Sequence, residues 1–114
     1  MPSIKRYCLA VDLKPDATLI EEYEAYHRKV WPEILHSLKE NGIVNLEIYR
    51  IENRLFMILE TNENFSFEKK KQMDNDNPKV QEWETLMWKF QQALPWTKPG
   101  EKWILMEKIF ELPQ

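Results

Sequence analysis

Two glycines and a single cysteine in 114 residues close off several kinds of chemistry at once. With so few glycines there is no Gly-rich loop whose backbone amides would cradle a phosphate, which removes the common nucleotide-binding motifs. Cys8 has no partner for an internal disulfide, and its place in an apolar stretch suits a small buried side chain better than a nucleophile. His27 and His36 are the two histidines, and with one cysteine they form no cluster at zinc-ligand spacing. Excess charge is lacking too. Sixteen basic against nineteen acidic side chains give a net charge of -3, without the basic footprint of a nucleic-acid binder. The run Glu68-Lys69-Lys70-Lys71 is short, is balanced by Asp74 and Asp76, and reads as a solvated helix face. No segment approaches the roughly 18 apolar residues of a membrane span. The opening MPSIKRYCLAVDL, interrupted by Asp12, shows no cleavage-like small-residue pattern. These absences point to a cytoplasmic chain that suits one domain over residues 1–114, burying roughly two thirds of the surface its unfolded form exposes.

What the chain does have is aromatic residues, with five Trp, four Tyr and five Phe. Residues 4–12 read as a strand, ended by the turn signal Lys14-Pro15-Asp16. From Thr18 the period changes. Leu19, Tyr23, Tyr26 with His27, Val30, Ile34 and Leu38 form a helical stripe that stops at Asn41-Gly42, which predicts one helix of roughly twenty residues. The runs 44–51 and 54–61, parted by Glu52-Asn53, predict a tight antiparallel hairpin. A polar, helical stretch to Met73 and a break at residues 74–78 follow. A second long helix then carries Trp83, Met87, Phe90 and Leu94 and ends at Pro95. The loop 96–102 leads to a last strand, WILMEKIFEL, at 103–112.

The order β, α, β, β, α, β is the split βαβ or ferredoxin-like α+β arrangement, two helices covering one face of an antiparallel sheet. The predicted strands are apolar on both faces, as with Leu46 and Ile48 against Tyr49 and Ile51. An apolar sheet face left bare is an association site, so a second subunit covering it is expected, giving a homodimer with a barrel-like core.

In the stretch EEYEAYHRKVWPEI, Tyr23 and His27 lie one turn apart on nearly the same helix face, whereas His36 points to solvent. Two readings fit His27. It is a core-edge histidine satisfied by one hydrogen bond, or a group that moves protons near neutral pH, the chemistry open to a lone imidazole with an ordinary pKa of about 6.5. Pro32 falls inside the predicted helix, where its ring clashes with the carbonyl of Arg28 at a cost of about 3 kcal/mol, so a kink or a local opening is expected near that turn. The tryptophans also carry two readings: core filling, or indole faces packed on sugar rings.

These residues together resemble one family. Y-x-x-x-H-x-x-x-W-P-E, here Tyr23, His27, Trp31, Pro32 and Glu33, is similar to the signature of the L-rhamnose mutarotase family. The resemblance extends to N-x-x-I-Y at Asn45 to Tyr49, L-F-M-x-x-E at Leu55 to Glu60, a Trp-bearing second helix and a closing F-x-L-P at Phe110 to Pro113. It implies a dimeric α+β barrel that interconverts the α and β anomers of a 6-deoxyhexose with no cofactor, so the partner is a monosaccharide, while the composition above speaks against metal, nucleic acid and membranes. It implies that His27 is the proton donor and acceptor, that Tyr23 contacts substrate, and that Trp83 is the first of two adjacent sugar-contacting tryptophans. Two positions depart from the pattern: the second tryptophan is Glu84, and a sugar-contacting tyrosine of the second strand is Leu46. The loop at 91–103 resembles a branch of the family linked to L-fucose, so the sugar is L-rhamnose or L-fucose. Glu84, or Glu60 on the third strand, is the candidate carboxylate for hydroxyl binding or proton relay. Two other functions share this architecture: a haem-degrading monooxygenase with His27 as axial ligand, and a non-catalytic sugar-binding dimer.

Overall fold

A computed structural model describes residues 3–114; Met1 and Pro2 lie outside the described residues. The elements are β1 (Lys5–Leu13), α1 (Ala17–Arg28), α2 (Pro32–Glu40), β2 (Ile43–Ile51), β3 (Arg54–Thr61), α3 (Phe67–Asn75), α4 (Pro78–Trp88), β4 (Gln91–Gln92) and β5 (Ile104–Leu105). The antiparallel sheet runs in the order β2-β3-β1-β4, with β5 also on β1. This is the ferredoxin-like arrangement expected from the sequence.

The pairs Val11↔Leu55 and Leu9↔Met57 turn one face of the sheet toward the helices. There Val11, Leu13 and Leu55 join Tyr23 of α1, Ile34 of α2, Val80, Trp83 and Met87 of α4, and Phe90 in one core. Leu9, Ile43 and Leu59 form a smaller adjoining cluster, packed by Leu46 and Trp103. Intervening residues such as Ile58, Phe56 and Tyr49 occupy the opposite face. Tyr49 is 55% and Ile51 75% exposed.

Three departures from the sequence reading matter for the site. The predicted first helix is two helices. α1 starts where the Asp16 carboxylate accepts from Leu19 N at 3.0 Å, and it ends at Arg28. Trp31 is extended, with φ -57° and ψ 136°, and Pro32 is the first residue of α2. A residue before proline is pushed out of the helical region, and a proline at the first helical position loses no hydrogen bond, so opening the chain here avoids the cost of an interior proline. Gly42, φ +85°, ends the α2 turn, where a Cβ would come 2.5 Å from the Asn62 Oδ1.

The second long helix also stops early. α4 begins at Pro78 under the Asn77 cap, but it ends at Trp88 and not at Pro95. Phe90 and Leu94 stay buried at 0% and 3% exposure, outside the helix. The free edge of β1 takes up the chain instead, through Leu13↔Gln91 and Asp12↔Gln92 and a bond from Lys14 N to Phe90 O of 2.9 Å. An open edge would leave backbone groups unpaired, and this pairing outweighs two more turns of helix.

The last strand is cut short likewise. Pairing resumes at Ala10↔Ile104 and Leu9↔Leu105, and a bond from Met106 N to Cys8 O of 2.7 Å closes it. β4 and β5 are thus two pieces of one edge strand, interrupted opposite Val11 by an excursion of residues 93–103. Beyond Met106 the predicted strand is absent, and Ile109, Phe110 and Leu112 are exposed. Among the described residues no helix is long and apolar enough to cross a membrane.

Candidate active site

The last two turns of α1 carry Tyr23 and His27 on the face turned to α4, as the four-residue spacing dictates. Their rings lie 4.2 Å apart at 33°. Trp83 of α4 meets His27 edge-on, centroids 5.6 Å apart, and meets Trp31 at 5.0 Å and Tyr26 at 6.3 Å. The α1–α2 break is what turns Trp31 onto Trp83. Trp83 thereby links the imidazole to Trp31.

The hydrogen bonding of that imidazole fixes its chemistry. His27 Nδ1 lies 2.8 Å from the backbone carbonyl of Tyr23. A carbonyl only accepts, so Nδ1 carries the proton and Nε2 the lone pair. Among the described residues Nε2 has no hydrogen-bond partner. Burial holds the His27 pKa below its ordinary value, against a smaller upward pull from the Tyr23 carbonyl. The neutral ring is a base with its lone pair unspent.

Tyr23 is 3% exposed. Burial pushes its phenol up to about 12; the Gln91 amide works against that, and the Glu84 carboxylate adds to it. The phenol therefore stays protonated and serves as a hydrogen-bonding group rather than an acid. The Gln91 amide donates to its oxygen from Nε2 at 3.4 Å. Gln91 is 3% exposed and its Oε1 has no partner. Such an orphaned buried acceptor costs about 1–3 kcal/mol, which calls for a reason.

The other sequence-derived candidates divide. Glu84, beside Trp83 on α4, accepts from Lys102 Nζ at 2.9 Å, and the same ammonium lies 5.4 Å from the Trp88 ring centre. This pair ties the end of the excursion to α4. Leu46 is on the helix-side face but packs in the smaller cluster with Leu9, Ile43 and Leu59, apart from the core that contains Tyr23 and Trp83. Glu60 sits on the opposite sheet face, paired across from Arg6, where it accepts from Arg6 at 3.1 Å and Asn45 at 3.0 Å. The sheet stands between it and His27. His36 is exposed and pairs with Glu40 at 2.6 Å.

Gln91 and Lys102 were missed in the sequence. Both owe their positions to the edge strand and its excursion, which no local periodicity announces. A groove of about 600 Å³ opens at the α1–α2 break and shares Tyr26 and Trp31 with the aromatic cluster, although neither His27 nor Tyr23 lines it. No three His, Cys, Asp or Glu side chains among the described residues gather as a metal-holding group.

The profile of the L-rhamnose mutarotase family matches residues 6–112. A Xanthomonas campestris protein named L-fucose mutarotase is 45% identical over 114 residues, covering 98% of this chain and 91% of its own. A UPF0734 protein of Dictyostelium discoideum is 37% identical over 115 residues, covering 95% of this chain and 90% of its own. The crystal structure of an L-rhamnose mutarotase from Formosa agariphila superposes with a TM-score of 0.70 at 22% identity, over 96% of this chain and 99% of that one, a likeness of fold.

Proposed function

The chain belongs to the L-rhamnose mutarotase family, and from that premise we propose that it interconverts the α and β anomers of a 6-deoxyhexose, L-fucose in the first place, with His27 moving the protons. The observation that carries this reading is the unspent Nε2 lone pair of a neutral, half-buried imidazole whose other nitrogen is committed to the Tyr23 carbonyl. The preference for L-fucose over L-rhamnose follows the 45% identical relative.

The reaction needs few parts. His27 Nε2 takes the proton of the anomeric hydroxyl as the bond from C1 to the ring oxygen breaks, leaving an aldehyde at C1. The imidazolium returns that proton to the ring oxygen. Both oxygens start on the same carbon, so one nitrogen serves both. Rotation about C1–C2 and the reverse steps on the other face of the aldehyde give the other anomer, and His27 ends neutral. Acid–base assistance of about 10² to 10⁴ is enough for a reaction that already runs in water. In this reading the Trp83 indole, 8% exposed, packs on the C–H side of the sugar, and Tyr23 serves as a hydroxyl-binding phenol. Glu84 joins them as the nearer of the two carboxylates considered; Glu60, beyond the sheet, has no part in this route.

A second copy of the chain covers the outer sheet face in this reading, because Tyr49 and Ile51 leave an apolar surface there.

Saturation-transfer NMR of anomer exchange on L-fucose, L-rhamnose and common hexoses tests the proposal. Wild-type protein is expected to accelerate exchange of a 6-deoxyhexose, and His27→Ala to lose about 10² or more of that acceleration. Undiminished activity in His27→Ala would remove the assignment, and tight sugar binding with no acceleration would favour a sugar-binding protein.

A further inference from the structure

We infer that Gln91 is a specificity-determining residue of the sugar site: with the Tyr23 hydroxyl it takes one substrate hydroxyl as both donor and acceptor. This deepens the mutarotase reading and rests on it.

Register supplies the placement. Gln91 pairs with Leu13, whose side chain is in the helix-side core, so the Gln91 amide points to the same side and meets the Tyr23 phenol. It is 3% exposed, with Oε1 unpartnered. As the bond runs, the amide N–H donates to the phenol oxygen, which leaves the phenol's own proton and the amide oxygen both unused. A sugar hydroxyl matches that pair: it donates to Gln91 Oε1 and accepts from Tyr23 O–H. Turning the amide over preserves the logic. The phenol then donates to the carbonyl, and the amide N–H groups face the incoming hydroxyl oxygen. Either way one end of a buried amide is held by the phenol next to His27 and the other is unpartnered. The second unpartnered buried oxygen, Thr61 Oγ1, lies at the far end of β3 from Leu55 and the Tyr23 core, so it has no comparable setting. A buried polar pair that is satisfied only by the right hydroxyl is the kind of device that discriminates epimers and deoxy sugars, since a wrong sugar leaves it unpaired.

The experiment is Gln91→Leu in the full chain, with anomer exchange measured on the sugar the wild type uses and on its monodeoxy derivatives. The expected result is a KM increase that lowers kcat/KM by about tenfold or more on the parent sugar. One deoxy derivative, lacking the hydroxyl that Gln91 reads, should lose nothing further. The thermal midpoint should change little, because leucine is close in volume and removes the unpartnered Oε1, which offsets the loss of the amide donor to the Tyr23 phenol. A kcat/KM within twofold of wild type, or an equal loss on every deoxy derivative, overturns the inference. A wild type that exchanges no sugar overturns the mutarotase reading instead. The same comparison by tryptophan fluorescence then still tests Gln91 through affinity: a selective loss with one hydroxyl supports it, and no sugar binding at all removes both.

Discussion

His27 shows what a single residue's surroundings decide. Helical spacing puts it beside Tyr23, but spacing is silent on which ring nitrogen is spent. The 2.8 Å contact to the Tyr23 carbonyl settles that, and burial favours the neutral ring. A pH prediction follows with a definite sign. The neutral imidazole is the base, and its pKa lies below the ordinary 6.5, so the acid limb of kcat/KM should have its midpoint below pH 6.5. Activity should be level well above that midpoint and fall by about tenfold per pH unit once the ring is protonated. Stability moves the same way. The unfolded chain binds the proton more tightly than the folded one, so His27 contributes stability that is complete above the unfolded value and is lost as pH falls through the folded one. Comparing the acid limb of wild type and His27→Ala by chemical denaturation isolates this share; equal limbs would contradict it.

At the scale of elements, Pro32 is the instructive case. Read inside a long helix it is a defect costing about 3 kcal/mol, and replacing it should stabilise the chain. As the first residue of α2 it is well suited, and Pro32→Ala should cost about 0.4–1 kcal/mol by freeing the unfolded chain. Urea denaturation separates the two, since their signs differ. The stripe from Leu19 to Leu38 was legible because both helices keep the same face inward, and it hid the break for the same reason. Trp83, Met87, Phe90 and Leu94 misled similarly. All four are buried, yet the last two lie beyond α4, because burial follows the core and helix length follows competition for backbone hydrogen bonds.

For the whole molecule, the outer sheet face is the open question that the fold itself raises. Phe56 and Ile58 are partly covered, but Tyr49 at 55% and Ile51 at 75% exposure stand in water on the isolated chain. Light scattering at micromolar concentration should give twice the chain mass, and Ile51→Asp should weaken association without unfolding, because Ile51 contributes nothing to either core cluster. A wild type that stays at one chain mass would remove the second copy from this face.

The sequence by itself determined the β, α, β, β, α, β outline, the two faces of the sheet, the aromatic character of the core and the pairing of Tyr23 with His27. Those rest on periods of two and 3.6 residues and on turn chemistry, which act between near neighbours. Only the tertiary structure decided the rest. It split the last strand around residues 93–103, tied Glu84 to Lys102, and buried Gln91 against Tyr23. Each of those depends on which backbone groups remain unpaired once the sheet has formed, and that is set by chain segments far apart in sequence.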